Sequence, residues 1–107
     1  MGITKSEVFT AEQNRIAELA KALSHPARVA ILQVLAKKKS CICSEIVDEL
    51  PLAQATVSQH LKELKQIGII SGEINPPKVC YCLNEAVVEE FRLFFGGMFE
   101  VLKKGCC

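Results

Sequence analysis

The chain has 107 residues, close to the usual size of one domain, and residues 1–107 are read as a single folded unit. Half of the residues are hydrophobic, yet no apolar run approaches the roughly 20 residues of a membrane span and no charged-then-apolar leader opens the chain. The expectation is a soluble, cytoplasmic protein with no membrane partner. The 13 Lys and Arg against 12 Asp and Glu give a net charge of +1, which excludes a general polycation; affinity for nucleic acid must then come from local placement of charge. The opening MGITKS fits the short N-myristoylation pattern through Gly2 and Ser6, a pattern often matched by chance, and is read as a frayed terminus.

A helical pattern from about Thr10 to Ser24 sets Ile16, Leu19, Ala20 and Leu23 on one face, with Thr10 as N-cap and Gln13 three places on. Ser24-His25-Pro26 ends it and starts a second helix, about Pro26 to Lys38. Val29, Ile31, Leu32, Val34 and Leu35 cover a wide arc of that helix, which suits an element packed on several sides at the centre of a core. Lys37, Lys38 and Lys39 close it, where cations favour the negative end of the macrodipole.

Cys41 and Cys43 then open a third, short amphipathic helix, broken at Leu50-Pro51. In the fourth helix Val57, Leu61, Leu64 and Gly68 recur at intervals of three and four, the period of a one-faced helix. Its opposite face carries Gln59, Lys62 and Gln66, flanked by Thr56 and Ser58. These are short hydrogen-bonding groups suited to base edges and phosphates, with a lysine to neutralise a phosphate. A helix-turn-helix places such a face in the major groove of duplex DNA. Ile69-Ile70 leads into a strand, Asn75-Pro76-Pro77 turns the chain beside Lys78, and Val79 to Leu83 forms a second strand. A hairpin after a helix-turn-helix is a wing, so the fold class is mainly α with a small β-hairpin, a winged helix-turn-helix with four helices, two strands and a last helix.

That last helix, about Asn84 to Lys104, holds four of the five phenylalanines, Phe91, Phe94, Phe95 and Phe99, together with Val87, Val88, Leu93, Met98 and Leu102. Such a helix is apolar over more than the stripe one small domain covers. A second copy of the chain is the simplest cover, a homodimer through the terminal helices, and a two-fold dimer presents two recognition helices to a palindromic site.

From about Leu19 to Leu83 the chain resembles the ArsR/SmtB winged-helix repressors. The resemblance is carried by HPARVAIL on the second helix, the cysteine pair opening the third, TVSQHLKEL followed by Gly-Ile-Ile, and a wing ending in Tyr81-x-Leu83-Asn84. It implies a homodimeric repressor that leaves its operator when an inducer binds, often a thiophilic metal or metalloid. The positions matching the family's DNA-contacting helix are Gln54, Thr56, Ser58, Gln59, His60 and Lys62, to which Lys78 of the wing is added; His60 also flanks the apolar face and is equally readable as a structural histidine.

Six cysteines fall in three close pairs, Cys41/Cys43, Cys80/Cys82 and Cys106/Cys107. Inside a cell such clusters point to metal or redox chemistry rather than structural disulfides. Thiolates suit soft ions. Cys41 and Cys43 align with the pair at the helix start of the arsenic-sensing branch, where the positive helix end favours thiolate. That branch's third cysteine is replaced here by Ile46, so Cys106 or Cys107 of the tail is expected to complete a three-sulfur site for arsenite or antimonite. The alternatives are a soft divalent metal such as cadmium or lead, or a redox or persulfide sensor that links Cys41 or Cys43 to the tail. Cys80 and Cys82 share one face of a strand and are read as small apolar filler beneath the wing, or as a shared ligand pair. No permanently bound cofactor is expected, and no Gly-rich phosphate loop, Ser-His-Asp set or hydrolytic zinc motif supports an enzyme.

Overall fold

The computed structural model describes residues 8–38, 42–43, 50–73 and 80–106. Helix α1 spans Ala11–Ala20 and begins as the spacing predicts: Thr10 Oγ1 accepts from the Gln13 N–H and Gln13 Oε1 accepts from the Thr10 N–H, both at 3.0 Å. This reciprocal box satisfies two amide donors that a helix start otherwise leaves open. A 3-10 turn over Lys21–Leu23 tightens the exit, and α2 follows over Pro26–Lys38, proline being suited to a first helical position. Helix α3, Gln54–Ile67, ends on Gly68, whose φ of 102° is the left-handed conformation that glycine adopts without a Cβ penalty. Strands β2, Ile70–Glu73, and β3, Cys80–Leu83, pair antiparallel, and α4, Glu85–Lys104, closes the chain. Asn84 caps α4, its side-chain oxygen accepting from the amides of Ala86 at 3.1 Å and Val87 at 3.4 Å.

The core is one cluster. Leu19, Ala22, Ile31 and Leu35 meet Val57, Leu61, Leu64 and Ile67 of α3, with Ile69, Ile70 and Tyr81 from the sheet. All the apolar positions of the α3 stripe that carry a side chain are therefore buried, so packing, more than propensity, holds this helix in place. Arg15 ties the remaining elements together. Its guanidinium donates to both Glu90 oxygens of α4 at 2.9 and 2.7 Å, reaches the Ile67 carbonyl at 3.5 Å and pairs with Glu18. The Arg15 hydrogen bond holds the Glu90 carboxyl below the usual carboxylate range.

The winged helix-turn-helix expectation is met, with one addition to the sheet. Ile42–Cys43 form a strand, β1, that pairs antiparallel with β3, so the order is β1-β3-β2 and β3 lies in the middle. The residue pattern predicts Cys43 at the start of a helix instead. The reason for the difference is tertiary: β3 would otherwise present an open edge, and β-branched Ile42 fits opposite Tyr81 on a pleated ladder. The expected helix between Cys43 and Leu50, the turn at Asn75-Pro76-Pro77 with Lys78, and the opening MGITKS fall at 44–49, 74–79 and 1–7, outside the described residues.

Gly72 is required where β2 meets β3. At its φ of 134° an added Cβ would lie 2.1 Å from the Cys80 carbonyl oxygen. Tyr81, facing it in register, is fully buried, its hydroxyl has no partner among the described residues, and burial pushes the phenol up to about 12. An unsatisfied buried hydroxyl costs about 1–3 kcal/mol. Tyr81→Phe is therefore expected to leave stability unchanged or to raise it by about 1 kcal/mol in urea unfolding; a loss of that size would show that the hydroxyl is satisfied after all.

Helix α4 has no buried residue. Val87, Phe91, Phe94 and Phe95 lean on the core, and Phe91 stacks on Phe95 at 5.2 Å between centroids. Beyond them Val88, Leu93, Phe99, Val101 and Leu102 are open to solvent. Among the described residues no helix is long and apolar enough to cross a membrane.

Candidate nucleic-acid interface and thiol groups

Burial of Val57, Leu61 and Leu64 fixes which way α3 faces, because residues three and four apart share a side. Gln54, Thr56, Gln59 and Lys62 are consequently exposed and Ser58 is half-buried. The α3 N-cap, Ala53, supplies no side-chain hydrogen bond to the first-turn amides, which lie at the positive end of the helix. Gln59 Nε2 lies 3.5 Å from Glu63 Oε1 one turn on, a long and weak bond that leaves the amide able to turn toward a base edge.

His60 differs from its neighbours. It is half-buried, its Nδ1 accepts from Arg28 Nε at 3.1 Å, and its ring lies 4.6 Å from that of His25. Of the two roles open in the sequence, this geometry matches the structural histidine. Burial first, then the charges of His25 and Arg28, lower its pKa from the ordinary 6.5. The unfolded chain thus takes up the proton at a higher pH than the folded one, so the stability from neutral His60 is full above about pH 7 and is lost as pH falls through the ordinary histidine range. His60→Gln should flatten urea stability between about pH 7 and 5, whereas Glu90, also depressed, acts only in the lower carboxylate range. A slope unchanged by that substitution would count against the assignment.

Arg28 was not singled out in the sequence, although it stands inside HPARVAIL. Only 12% of its side chain is exposed, and it pairs with Glu63 of α3, donates to the Lys21 carbonyl at 2.6 Å and reaches Ser24 Oγ at 3.4 Å besides holding His60. It thereby fastens the exit of α1 to the recognition helix. It also offsets the carboxylate of Glu63, which lies one turn from Gln59 where a phosphate backbone would approach. Lys21, Glu63 and Gln66 line the open cleft beside it. The available sequence signal was an arginine inside an otherwise apolar helix, a residue rarely buried unless paired.

The thiols are distributed differently from the expected site. Cys43 lies on β1 opposite Cys80, so its sequence-based placement at a positive helix end does not hold. Cys80 and Cys82 are half-buried on β3, and each is disulfide-bonded. Cys106 is an exposed free thiol whose Sγ lies 3.4 Å from the Leu102 carbonyl at the end of α4. Cys41 and Cys107 lie outside the described residues, as does Lys78. Among the described residues no three Cys, His, Asp or Glu side chains gather as a metal site.

Comparison with known proteins agrees with this architecture. Residues 23–73 match the helix-turn-helix domain family. Over 68 residues the chain is 44% identical to the HTH-type transcriptional repressor SmtB of Mycobacterium tuberculosis, covering 64% of this chain and 50% of that protein. It is 30% identical over 86 residues to the HTH-type transcriptional regulator YgaV of Escherichia coli, covering 79% and 87%. The chain thus spans about half the length of the first of these relatives and most of the second. The crystal structure of the transcriptional repressor BigR from Xylella fastidiosa superposes with a TM-score of 0.61 at 25% identity, covering 98% of this chain and 99% of that one. With its buried α3 stripe, exposed polar face and adjoining wing strands, the chain belongs to the ArsR/SmtB family of winged helix-turn-helix transcriptional repressors.

Proposed function

We propose that this chain is a homodimeric, cytoplasmic repressor that reads duplex operator DNA with α3 and acts by binding alone, without catalysis. The observation that carries the reading is the division of α3: one side buried at Val57, Leu61 and Leu64, the other presenting Gln54, Thr56, Gln59 and Lys62 to solvent. Gln59 and Thr56 read base edges, Lys62 neutralises a phosphate, and Lys78 of the wing segment adds a backbone contact. The exposed apolar side of α4 supports a second copy of the chain as partner.

The inducer reading is trivalent arsenic or antimony held by the thiolates of Cys41, Cys43 and a tail cysteine, Cys106 or Cys107; the soft sulfur ligands support it. A redox or persulfide reading, in which Cys41 or Cys43 links to Cys106 or Cys107, stands beside it, supported by the exposed free thiol of Cys106. In either case the signal enters next to the segment leading into the helix-turn-helix.

Gln59→Ala is expected to weaken operator binding by about 1–3 kcal/mol while leaving nonspecific DNA binding intact. Lys62→Ala should weaken all sequences alike and reduce the salt slope by about 1. Fluorescence anisotropy on specific and random duplexes separates the two effects, and unchanged affinity in both variants removes α3 from the groove. Cys43→Ser should retain DNA binding and lose release by arsenite; release that persists without both Cys41 and Cys43 excludes that ligand set.

A further inference from the structure

We propose that His25 and His60 form a proton-operated latch between the start of α2 and the recognition helix, through which mildly acid pH lowers the preference of the protein for its operator over random DNA. The consequence for DNA rests on the repressor reading; the latch itself rests on side-chain geometry. These two residues are the only histidines of the chain. Though distant in sequence, their rings lie 4.6 Å apart between centroids and are tilted by 45°. His25 is exposed and His60 half-buried.

Each ring is held as an acceptor. His60 Nδ1 accepts from Arg28 Nε at 3.1 Å, and His25 Nδ1 accepts from the Ala27 amide at 3.0 Å in the first turn of α2. A guanidinium N–H and a backbone N–H only donate, so each Nδ1 carries the lone pair of its ring and each Nε2 carries the hydrogen. Nδ1 is then the one place where either ring can take up a proton. Uptake at His60 replaces an acceptor by an N–H aimed at the N–H of Arg28. Uptake at His25 removes the side-chain cap of α2.

The surrounding charges offer an imidazolium no compensation. Arg28 of α2 faces His60 and is itself paired with Glu63 of α3, so that carboxylate is already engaged. Lys21 and Glu18 at the exit of α1 line the cleft beside this pair, and Glu18 is held by Arg15. On its other side α3 meets the apolar core, where no charged side chain is buried among the described residues. Burial, then His25 and Arg28, hold the His60 pKa below the ordinary 6.5. The latch is therefore closed at neutral pH and opens as pH falls below the ordinary histidine range.

Opening acts on DNA in two ways. His60 adjoins Gln59 on α3, and losing the Arg28 bond lets that helix shift against α2. Base-edge hydrogen bonds depend on such placement, so reading of the operator weakens. The added positive charge strengthens attraction to any phosphate backbone, whatever its sequence. These effects oppose one another in total affinity. They act in the same sense on the ratio of operator to random binding, which falls.

The test uses the full chain, a duplex selected from a random pool at neutral pH, and an unselected duplex of the same length. Anisotropy is read at about pH 7.5 and about pH 5.5, the window in which histidine is the side chain that ordinarily titrates. Expected is a fall in the selected-to-random ratio on the order of tenfold, the linkage of one proton over about one pH unit, reversed when the pH is raised again. His60→Asn puts a non-titrating acceptor where Nδ1 lies and should keep the neutral-pH ratio while abolishing the fall. His25→Asn keeps the cap of α2 and should reduce the fall. Independently of DNA, nitrogen-15 NMR of the wild type should show His60 as the Nε2–H tautomer at neutral pH, with the Arg28 Nε–H resonance moving as His60 titrates. If His60→Asn folds poorly, that measurement decides. An Arg28 resonance indifferent to the titration of His60, or a fall equally large in His60→Asn, overturns the latch. A selected-to-random preference that does not change with pH sinks the latch and leaves the repressor reading standing. Coupled titration of His60 and Arg28 in a protein that selects no duplex does the reverse.

Discussion

Phe99→Glu combined with Leu102→Glu is expected to produce a folded monomer whose affinity for a palindromic operator is lower by roughly 100-fold or more, the usual loss when two linked half-site contacts become one. The two side chains are 58% and 54% exposed, and neither packs on the core cluster, so the single chain has little reason to unfold. They continue a stripe at 88, 91, 95, 99 and 102, spaced by three and four, in which Phe95 and Phe99 already stack at 6.3 Å between centroids. Burying each of these side chains against a second copy is worth about 1.5–3 kcal/mol, whereas a carboxylate at the same place is strongly unfavourable. Sedimentation velocity at micromolar protein reads the assembly and anisotropy reads the DNA. A wild-type monomer, or a double variant that remains dimeric, would remove α4 as the dimer surface.

Arg28→Met should cost about 2–3 kcal/mol in chemical unfolding, the range for hydrogen bonds to a charged group, and should weaken DNA binding beyond what lost stability explains. The ion pair with Glu63 contributes little by itself, because that carboxylate is 41% exposed and water screens it. Most of the loss comes from the Lys21 carbonyl and His60 Nδ1, acceptors on two elements that one fork of donors holds together. The further effect on DNA comes from Glu63, whose freed charge would face the phosphate backbone one turn from Gln59. Arg28→Lys should not rescue, since an ammonium cannot serve Nε-, Nη1- and Nη2-type geometries at once. Glu63→Gln added to Arg28→Met should restore part of the DNA affinity and none of the stability. Full stability in Arg28→Met would show that these bonds only decorate the surface.

The local chemistry of the elements was legible in the residues alone. The Thr10/Gln13 capping box, the proline start of α2 and the one-faced period of α3 depend on neighbours within a turn, and the structure shows each of them. The exposed face of α3 was readable for the same reason: once Val57, Leu61 and Leu64 point inward, helix geometry carries Gln59 and Lys62 outward. The apolar excess of α4 was also visible as composition on a single helix.

Contacts between residues distant in sequence required the fold. Arg28 meets Glu63 and His60 across more than thirty positions, and Arg15 meets Glu90 across seventy-five; no periodicity in one dimension encodes either encounter. The same holds for Cys43. Its local setting permits helix or strand, and the open edge of β3 decides for strand by offering backbone donors and acceptors that water would otherwise have to satisfy. That choice sets Cys43 in register with Cys80 and turns two separate cysteine pairs in the sequence into neighbours across a ladder. Residue chemistry by itself determined the fold class and the polar outer face of α3; tertiary pairing decided that Cys43 lies on a strand beside β3.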